Sequence, residues 1–248
     1  MRKIAVLPSL LTLGNLVCGF HAIRFAADGR FMSAAWLVFL AMVFDALDGK
    51  VARLTGASSQ FGAELDSLAD VVSFGIAPAF IVAMLTAAVQ SEHQRLVWLS
   101  CMVYAVCAAL RLARFNVETG PDEESHRFFR GLPSPAAAGQ VVALVVLHYY
   151  LKEQFGFYAV RHVIPAAAFT AGVLMVSRIR YPHVVNIYLG GHHAFADVVF
   201  VVIVVLLMAT IKELTLAAAF TLFTAAGLVN TMRLLVAHKA DEQEEPIV

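Results

Sequence analysis

Long apolar stretches separated by short polar segments dominate the chain. A helix that crosses a bilayer needs about 20 mainly apolar residues, and by that measure the sequence predicts about eight spans. Their predicted limits are residues 8–27, 32–53, 63–87, 95–116, 134–151, 162–178, 196–211 and 214–236. The pattern therefore predicts an all-α protein, a polytopic transmembrane helical bundle.

Composition and charge agree with this prediction. Of the 248 residues, 60% are hydrophobic and 15% are charged, and the mean hydropathy is +0.76, outside the usual range of soluble proteins. The net charge is zero, so no global basic field indicates nucleic-acid binding. With the N-terminus in the cytoplasm, 12 of the 18 Lys and Arg residues fall on the cytoplasmic side, the bias expected of cytoplasmic loops. We expect an integral protein of a bacterial or archaeal cell membrane.

Four aspartates lie where the second and third predicted spans approach each other. Asp45 and Asp48 are three residues apart, and Asp66 and Asp70 are four apart, so each pair shares one face of its helix. An aspartate at the centre of a span costs about 2.5 to 3.5 kcal/mol, so the four need compensation. Because the connection is short, the two helices are expected to be antiparallel neighbours. Their acids can therefore converge, and the charge distribution places them on the cytoplasmic side.

The residues around these acids indicate a ligand. Four oxygen donors without His or Cys suit Mg²⁺, Mn²⁺ or Ca²⁺ better than zinc. Gly49, Ala52 and Gly62 leave room for a phosphorylated ligand, and the guanidinium of Arg53 suits a phosphate. Together they favour phosphoryl transfer or pyrophosphate cleavage. One alternative is that the acids pair with Lys50, Arg53 and neighbouring arginines only for helix packing, and another is a divalent-cation transporter.

A second polar group lies at the predicted cytoplasmic end of the fourth span. Arg111 and Arg114 share one helical face and could clamp a carboxylate or a phosphate, while Asn116 could orient an amine or a hydroxyl. The alternative is that the arginines are anchors that reach to lipid headgroups. Arg130, in the following loop, is a further candidate.

The motif resembles the full signature of the CDP-alcohol phosphotransferase family. It reads Asp45-x2-Asp48-Gly49-x2-Ala52-Arg53-x8-Gly62-x3-Asp66-x3-Asp70. The resemblance implies a membrane enzyme that uses divalent metal to transfer a phosphatidyl-type group from a CDP-linked lipid to an alcohol, releasing CMP. An intramembrane prenyltransferase also binds pyrophosphate through aspartates, but it would typically carry two separated acidic motifs.

The resemblance also implies a role for individual residues. The four aspartates would hold the metal, and Asp70 would in addition act as the general base. A first-helix element of the family, Asn-x-x-Thr, keeps its threonine here and has Ser9 in place of its asparagine. The residues expected to contact the CDP moiety are Thr12, Gly49, Arg53, Ser59 and Gly62.

Further segments look like the membrane-integral phosphatidylserine synthase branch of this family. They are residues 13–20, 66–79, 111–116, 129–135 and 177–182, so the likeness runs from about residue 7 to 182. It implies CDP-diacylglycerol and L-serine as substrates, Mg²⁺ or Mn²⁺ as the metal, and a homodimer. Sibling enzymes that accept glycerol 3-phosphate, inositol or choline are the alternatives. We expect a catalytic membrane domain at 1–182, a C-terminal transmembrane hairpin at 183–240 and an acidic tail at 241–248.

Overall fold

The computed structural model of the chain describes residues 6–56, 59–88, 94–118, 128–182, 207 and 210–244, and most of them are helical. In chain order the elements are α1 (Val6–Ala27), α2 (Phe31–Thr55), α3 (Gln60–Asp70), a π-helical segment (Val71–Ile76), α4 (Ala77–Ala87), α5 (Gln94–Glu118), β1 (Phe128–Arg130), α6 (Ser134–Phe155), α7 (Val160–Val176), β2 (Arg180–Pro182) and α8 (Lys212–Glu244). The helices α3 and α4 continue into one another through the π-helical segment.

Five helical segments are long and apolar enough to cross a membrane, which confirms the predicted transmembrane helical bundle. They are Val6–Ala27, Phe31–Thr55, Gln60–Ala87, Gln94–Val117 and Ser134–Phe155, and α7 is a shorter apolar helix. Each of the first six predicted spans thus has a helix, but the count of eight is not confirmed. The seventh predicted span lies outside the described residues, apart from 207, 210 and 211. The eighth corresponds to α8, which continues to Glu244 and so enters the expected acidic tail.

The first two helices form an antiparallel pair joined by a tight turn. Gly29 has a φ of +73°, a conformation that glycine adopts without steric cost, and the Arg30 N–H bonds to the Phe25 carbonyl at 2.8 Å. The apolar side chains that these helices bury are mostly small, namely Cys18, Ala22, Ala26, Phe31, Ala34, Ala35, Val38 and Ala41. Small side chains let helix backbones approach closely inside a membrane. The start of α1 therefore lies beside the end of α2.

Two glycines mark close crossings elsewhere in the bundle. A Cβ atom on Gly19 of α1 would lie 2.8 Å from the Cα of Ser73, and one on Gly172 of α7 would lie 2.9 Å from the Cα of Tyr104. Both positions leave no space for a side chain, because real Cβ atoms essentially never come within 3.0 Å of such neighbours. The first crossing brings α1 against the π-helical segment, and the second brings α7 against α5.

The π-helical segment follows Asp70 directly and is held from two sides. The Ser73 hydroxyl donates to the main-chain carbonyl of Asn15 in α1 at 2.9 Å. The Tyr104 hydroxyl of α5 donates to the main-chain carbonyl of Phe74 at 2.8 Å. Short π-helical turns are rare and often occur at functional sites. Here the two bonds fix the turn, and with it the helix that carries Asp70, against α1 and α5.

A short antiparallel pairing ties the start of α6 to the end of α7. In β1 and β2, Phe129 lies opposite Tyr181, and Arg130 lies opposite Arg180. After β1, Gly131 has a φ of +84° and donates its N–H to the Ile179 carbonyl at 2.8 Å. These contacts lie at the same end of the bundle as the end of α5, because Arg111 of α5 reaches Ser134 at the start of α6.

The last helix packs against α6 and is therefore part of the bundle. The Thr224 hydroxyl donates to Gln140 Oε1 at 2.7 Å, and both side chains are buried. The Phe220 ring lies where a side chain at Gly139 would stand, and it also lies 6.0 Å from the Phe39 ring of α2, centroid to centroid. The expected division into a catalytic domain and a C-terminal hairpin stays a prediction, since residues 183–206 lie outside the described part of the chain.

We predict that Tyr104→Phe lowers the free energy of unfolding by about 1–3 kcal/mol, because it leaves the buried Phe74 carbonyl without its donor. Thermal unfolding in detergent micelles measures the change. The control is Tyr158→Phe, since the Tyr158 side chain is exposed and its loss of a hydroxyl should have no effect. Equal unfolding midpoints for the two variants would contradict the prediction.

Candidate functional site

Three of the four predicted acids meet at the end of α2 and along α3. One carboxylate oxygen from each of Asp45, Asp48 and Asp66 lies within 4.8 Å of the other two. Asp48 is buried, and Asp45 and Asp66 are half-buried. The two helices are thus arranged as the short connection predicts, with acids from both converging on one point. Carboxylates this close repel one another strongly unless a cation lies among them.

The donors in this cluster fit a hard divalent cation. Asp48 Oδ2 and Asp66 Oδ1 are buried and, among the described residues, have no hydrogen-bond partner. A buried carboxylate oxygen without a partner is costly, whereas Mg²⁺ and Mn²⁺ prefer oxygen ligands. Within the same part of the chain, neither Lys50 nor Arg53 forms an ion pair with these acids. The pairings with Lys50 and Arg53 that helix packing alone would use are therefore not formed.

Asp70 lies one turn beyond Asp66 and has a different environment. It is 7% exposed, and its Oδ1 accepts a hydrogen bond of 3.0 Å from Asn15 Nδ2. It is close enough to Asp45 and Asp66 for a direct electrostatic interaction, but it is not one of the three acids whose oxygens meet. Its expected roles as a fourth metal ligand and as the general base stay predictions.

Asn15 is the site residue that the sequence analysis did not assign. It lies in a segment used for the family resemblance, and it is an amide in the middle of an apolar span. Polar residues inside spans are costly and commonly functional, so that position was the available signal. Its partner could not be identified, because Asn15 and Asp70 are 55 residues apart along the chain.

An open cleft lies beside the acid cluster, between the start of α1, the end of α2 and the start of α3. Four of the five residues expected to contact CDP line it, and Arg53 extends from the same end of α2 with an exposed side chain. The lining residues are Pro8, Ser9, Thr12, Asp48, Gly49, Ala52, Ser59, Gly62, Ala63 and Asp66.

Two of these lining residues also have local structural roles. The Thr12 hydroxyl donates to the Pro8 carbonyl of its own helix at 3.1 Å, and Thr12 lines the cleft together with Asp48. The Ser59 hydroxyl accepts the Gly62 N–H at 3.0 Å and so caps the N-terminus of α3. A helix N-terminus carries partial positive charge and attracts phosphate groups. The start of α3 therefore adds to the anion-binding character of the cleft.

The predicted arginine group divides between two environments. Arg111 Nη1 donates to Ser134 Oγ at 2.8 Å, and its Nε is buried without a hydrogen-bond partner among the described residues. Arg111 also interacts electrostatically with Asp70 and Asp45, so it points into the site rather than to lipid headgroups. Arg114 is half-buried one turn further along α5.

The other two candidates are Asn116 and Arg130. The Asn116 side chain, exposed near the end of α5, accepts a hydrogen bond of 3.1 Å from the Ser67 hydroxyl of α3. This hydrogen bond links α5 to α3. Arg130 lies in β1 opposite Arg180. The structure describes only the backbone of Arg130. Contact of either residue with a ligand stays a prediction.

Comparison with known proteins gives one family and several relatives. The family model for CDP-alcohol phosphatidyltransferase matches residues 5–176. A Helicobacter pylori protein named CDP-diacylglycerol–serine O-phosphatidyltransferase is 36% identical over 186 residues, which cover 74% of each chain. A Methanocaldococcus jannaschii protein of the same name is 36% identical over 186 residues, covering 75% of this chain and 78% of that relative. A Methanothermobacter thermautotrophicus protein named archaetidylserine synthase is 37% identical over 180 residues, covering 72% and 70%.

We predict that Mn²⁺ raises the thermal unfolding midpoint of the protein, because a cation held by the native acid cluster stabilises the folded state. At a concentration 100 times its Kd, the gain is about 2.7 kcal/mol. Asp66→Asn should remove most of the shift. The control Asp28→Asn should retain it, because Asp28 is exposed and lies 3.9 Å from Arg24 at the other end of α1. An equal shift in both variants, or none in the wild type, would contradict the metal site.

Proposed function

The chain belongs to the CDP-alcohol phosphatidyltransferase family, and we propose that it transfers the phosphatidyl group of CDP-diacylglycerol to L-serine, giving phosphatidylserine and CMP. The observation that carries the proposal is the convergence of Asp45, Asp48 and Asp66 on one point within the residues that the family match covers. The choice of serine is supported by the names of the bacterial and archaeal relatives. The choice of a metal-dependent transfer is supported by the oxygen-only donor set.

The cleft accounts for binding of the CDP-lipid. Its walls are the small residues Gly49, Ala52 and Gly62, which let a nucleotide approach the backbone, and its floor includes Asp48 and Asp66. The start of α3 and the Arg53 guanidinium supply positive charge for the pyrophosphate. A divalent cation held by Asp45, Asp48 and Asp66, with Mg²⁺ or Mn²⁺ as the proposed ion, would neutralise the pyrophosphate and the charge that develops on the departing CMP.

Asp70 is the group proposed to activate serine. Its Oδ1 is bound to Asn15, so its second oxygen is the one available to accept a proton. The serine hydroxyl gives its proton to Asp70 as its oxygen attacks the lipid-side phosphorus. The bond from that phosphorus to the bridging oxygen then breaks, and the electron pair leaves with CMP.

Arg111 is the group proposed to bind the serine carboxylate. One of its terminal nitrogens is anchored on Ser134, which fixes the guanidinium, and its buried Nε is a donor without a partner among the described residues. Because Arg111 and Asp70 are within electrostatic range of each other, a carboxylate bound to Arg111 would bring the acceptor toward Asp70. Serine has this carboxylate, whereas glycerol and inositol lack it. Arg114, Asn116 and Arg130 are the further candidates for acceptor or phosphate binding.

The distribution of Lys and Arg and the names of the relatives support a membrane side for the site and a class of donor lipid. We place the site at the cytoplasmic face, supported by the excess of Lys and Arg in the loops on that side. We propose the diacyl lipid as donor, while the relative named archaetidylserine synthase makes the ether-linked lipid the alternative. The homodimer expected from the family resemblance stays a prediction.

We predict that the purified protein releases CMP from CDP-diacylglycerol in the presence of Mn²⁺ or Mg²⁺ and L-serine, and that chelation of the metal abolishes release. The assay compares serine with glycerol 3-phosphate, inositol and choline at equal concentrations. Release with one of these and not with serine would replace serine by that acceptor. No release with any acceptor, together with Mn²⁺ uptake by liposomes that contain the protein, would favour the divalent-cation transporter.

We predict that Asp70→Asn lowers kcat for serine-dependent CMP release by about 100- to 10,000-fold, the usual contribution of a general base. The amide keeps the size of the side chain but cannot take the proton. Glu153→Gln, an exposed substitution in α6 at the opposite end of the bundle, is the control and should leave kcat unchanged. An Asp70→Asn variant with full activity would exclude Asp70 as the base.

A further inference from the structure

The side chain of Asn15 is fully buried and forms a hydrogen bond through one of its two polar atoms. The residue is 0% exposed. Its Nδ2 donates to Asp70 Oδ1 at 3.0 Å, but its Oδ1 is buried and, within the described part of the chain, has no hydrogen-bond partner. An unpartnered buried amide oxygen destabilises the folded state. The hydrogen bond that the Asn15 side chain does make is the one from its nitrogen to Asp70.

The single bond from Asn15 determines the orientation of the Asp70 carboxylate. Rotation of a carboxyl group about χ2 is only weakly restricted by its own covalent structure. A donor fixed on one oxygen selects one rotational position and leaves the second oxygen directed elsewhere. The Asn15 donor therefore decides which oxygen of Asp70 is available to a substrate.

The position of Asn15 is itself fixed by its main chain. The Asn15 carbonyl accepts the Ser73 hydroxyl of the π-helical segment at 2.9 Å, three residues after Asp70. One helical turn further along α1, Gly19 lies against Ser73 with no room for a side chain. The contact between α1 and the π-helical segment thus fixes the position of Asn15 relative to Asp70. Neither a shift of α1 along its axis nor a rotation about it is compatible with both contacts.

We propose that Asn15 is a positioning residue for the transfer reaction, which orients the Asp70 carboxylate so that its free oxygen faces the hydroxyl of the acceptor. This inference rests on the proposed function of Asp70 as general base. Asn15 acts through Asp70 and is not among the residues that line the cleft. Its loss should therefore slow the chemical step without weakening substrate binding.

The test is a comparison of kcat, KM and unfolding midpoint for variants of the full chain in detergent micelles. Asn15→Leu removes the donor and keeps the branched shape, and Asn15→Ala removes the donor with a smaller side chain in case the leucine does not fit. Asn15→Asp keeps the shape of the side chain and replaces the donor by a second acid. The control is Thr86→Val, a buried residue of α4 whose hydroxyl bonds only within its own helix.

For the donor-less variants we expect kcat to fall about 10- to 100-fold, the usual effect of removing a group that orients a site residue. KM for the CDP-lipid and for the acceptor should stay within about threefold of the wild-type values. The unfolding midpoint should fall, because the buried Asp70 oxygen loses its donor, so kcat is measured per folded protein, and Thr86→Val should keep the wild-type kcat. Asn15→Asp should be at least as slow as Asn15→Leu.

Two results would overturn the inference. Unchanged kcat in Asn15→Leu or Asn15→Ala, measured per folded protein, would leave Asn15 with a purely structural role. A rise in KM for the CDP-lipid with unchanged kcat would make it a substrate contact instead.

The failure of the proposed function is a separate outcome. If the wild type uses an acceptor other than serine, the substrate assignment fails and Asn15 is judged by the same kcat ratio with that acceptor. If the wild type releases CMP with no acceptor, both proposals fail.

Discussion

The close approach of several carboxylates inside a membrane bundle is the constraint on which the rest of this structure depends. Acids in spanning helices are costly, and acids whose oxygens lie within 4.8 Å of one another, as here, are costlier still. Asp45, Asp48 and Asp66 nevertheless converge, and buried oxygens on two of them have no hydrogen-bond partner among the described residues. Binding of a hard divalent cation and a pyrophosphate, as proposed above, would offset this cost. The energetic cost is thus evidence for function.

Holding acids from two helices together requires helices that pack closely and do not slide. Small side chains supply the close packing in α1 and α2, and glycines supply it where α1 meets the π-helical segment and where α7 meets α5. Buried hydrogen bonds between helices, such as those of Ser73 and Tyr104, then fix the axial register. In a bilayer, where apolar contact with lipid is as favourable as apolar contact with protein, such bonds and close contacts are what select one arrangement.

The site has two layers with different tasks. The carboxylates that face the cleft are suited to bind cations. Asn15 and Ser134 form hydrogen bonds with the side chains of Asp70 and Arg111 and so orient them. Orientation matters because a carboxylate and a guanidinium are effective only along particular directions. A family signature identifies the first layer, since its residues are close together in the chain. The second layer comes from α1 and α6, which are distant in sequence from the residues they orient.

The sequence by itself determined that the chain is a bundle of membrane-spanning helices, where the first six helices lie, and that acids from α2 and α3 would face one another. Those conclusions depend on local properties, namely the length of apolar stretches and the three- and four-residue spacing of the acids. Only the tertiary structure decided that three acids meet while Asp70 bonds to Asn15, that Arg111 points inward, and that a π-helical turn follows Asp70. These features depend on how far each helix is rotated and shifted against its neighbours, which side-chain packing sets and no local pattern encodes.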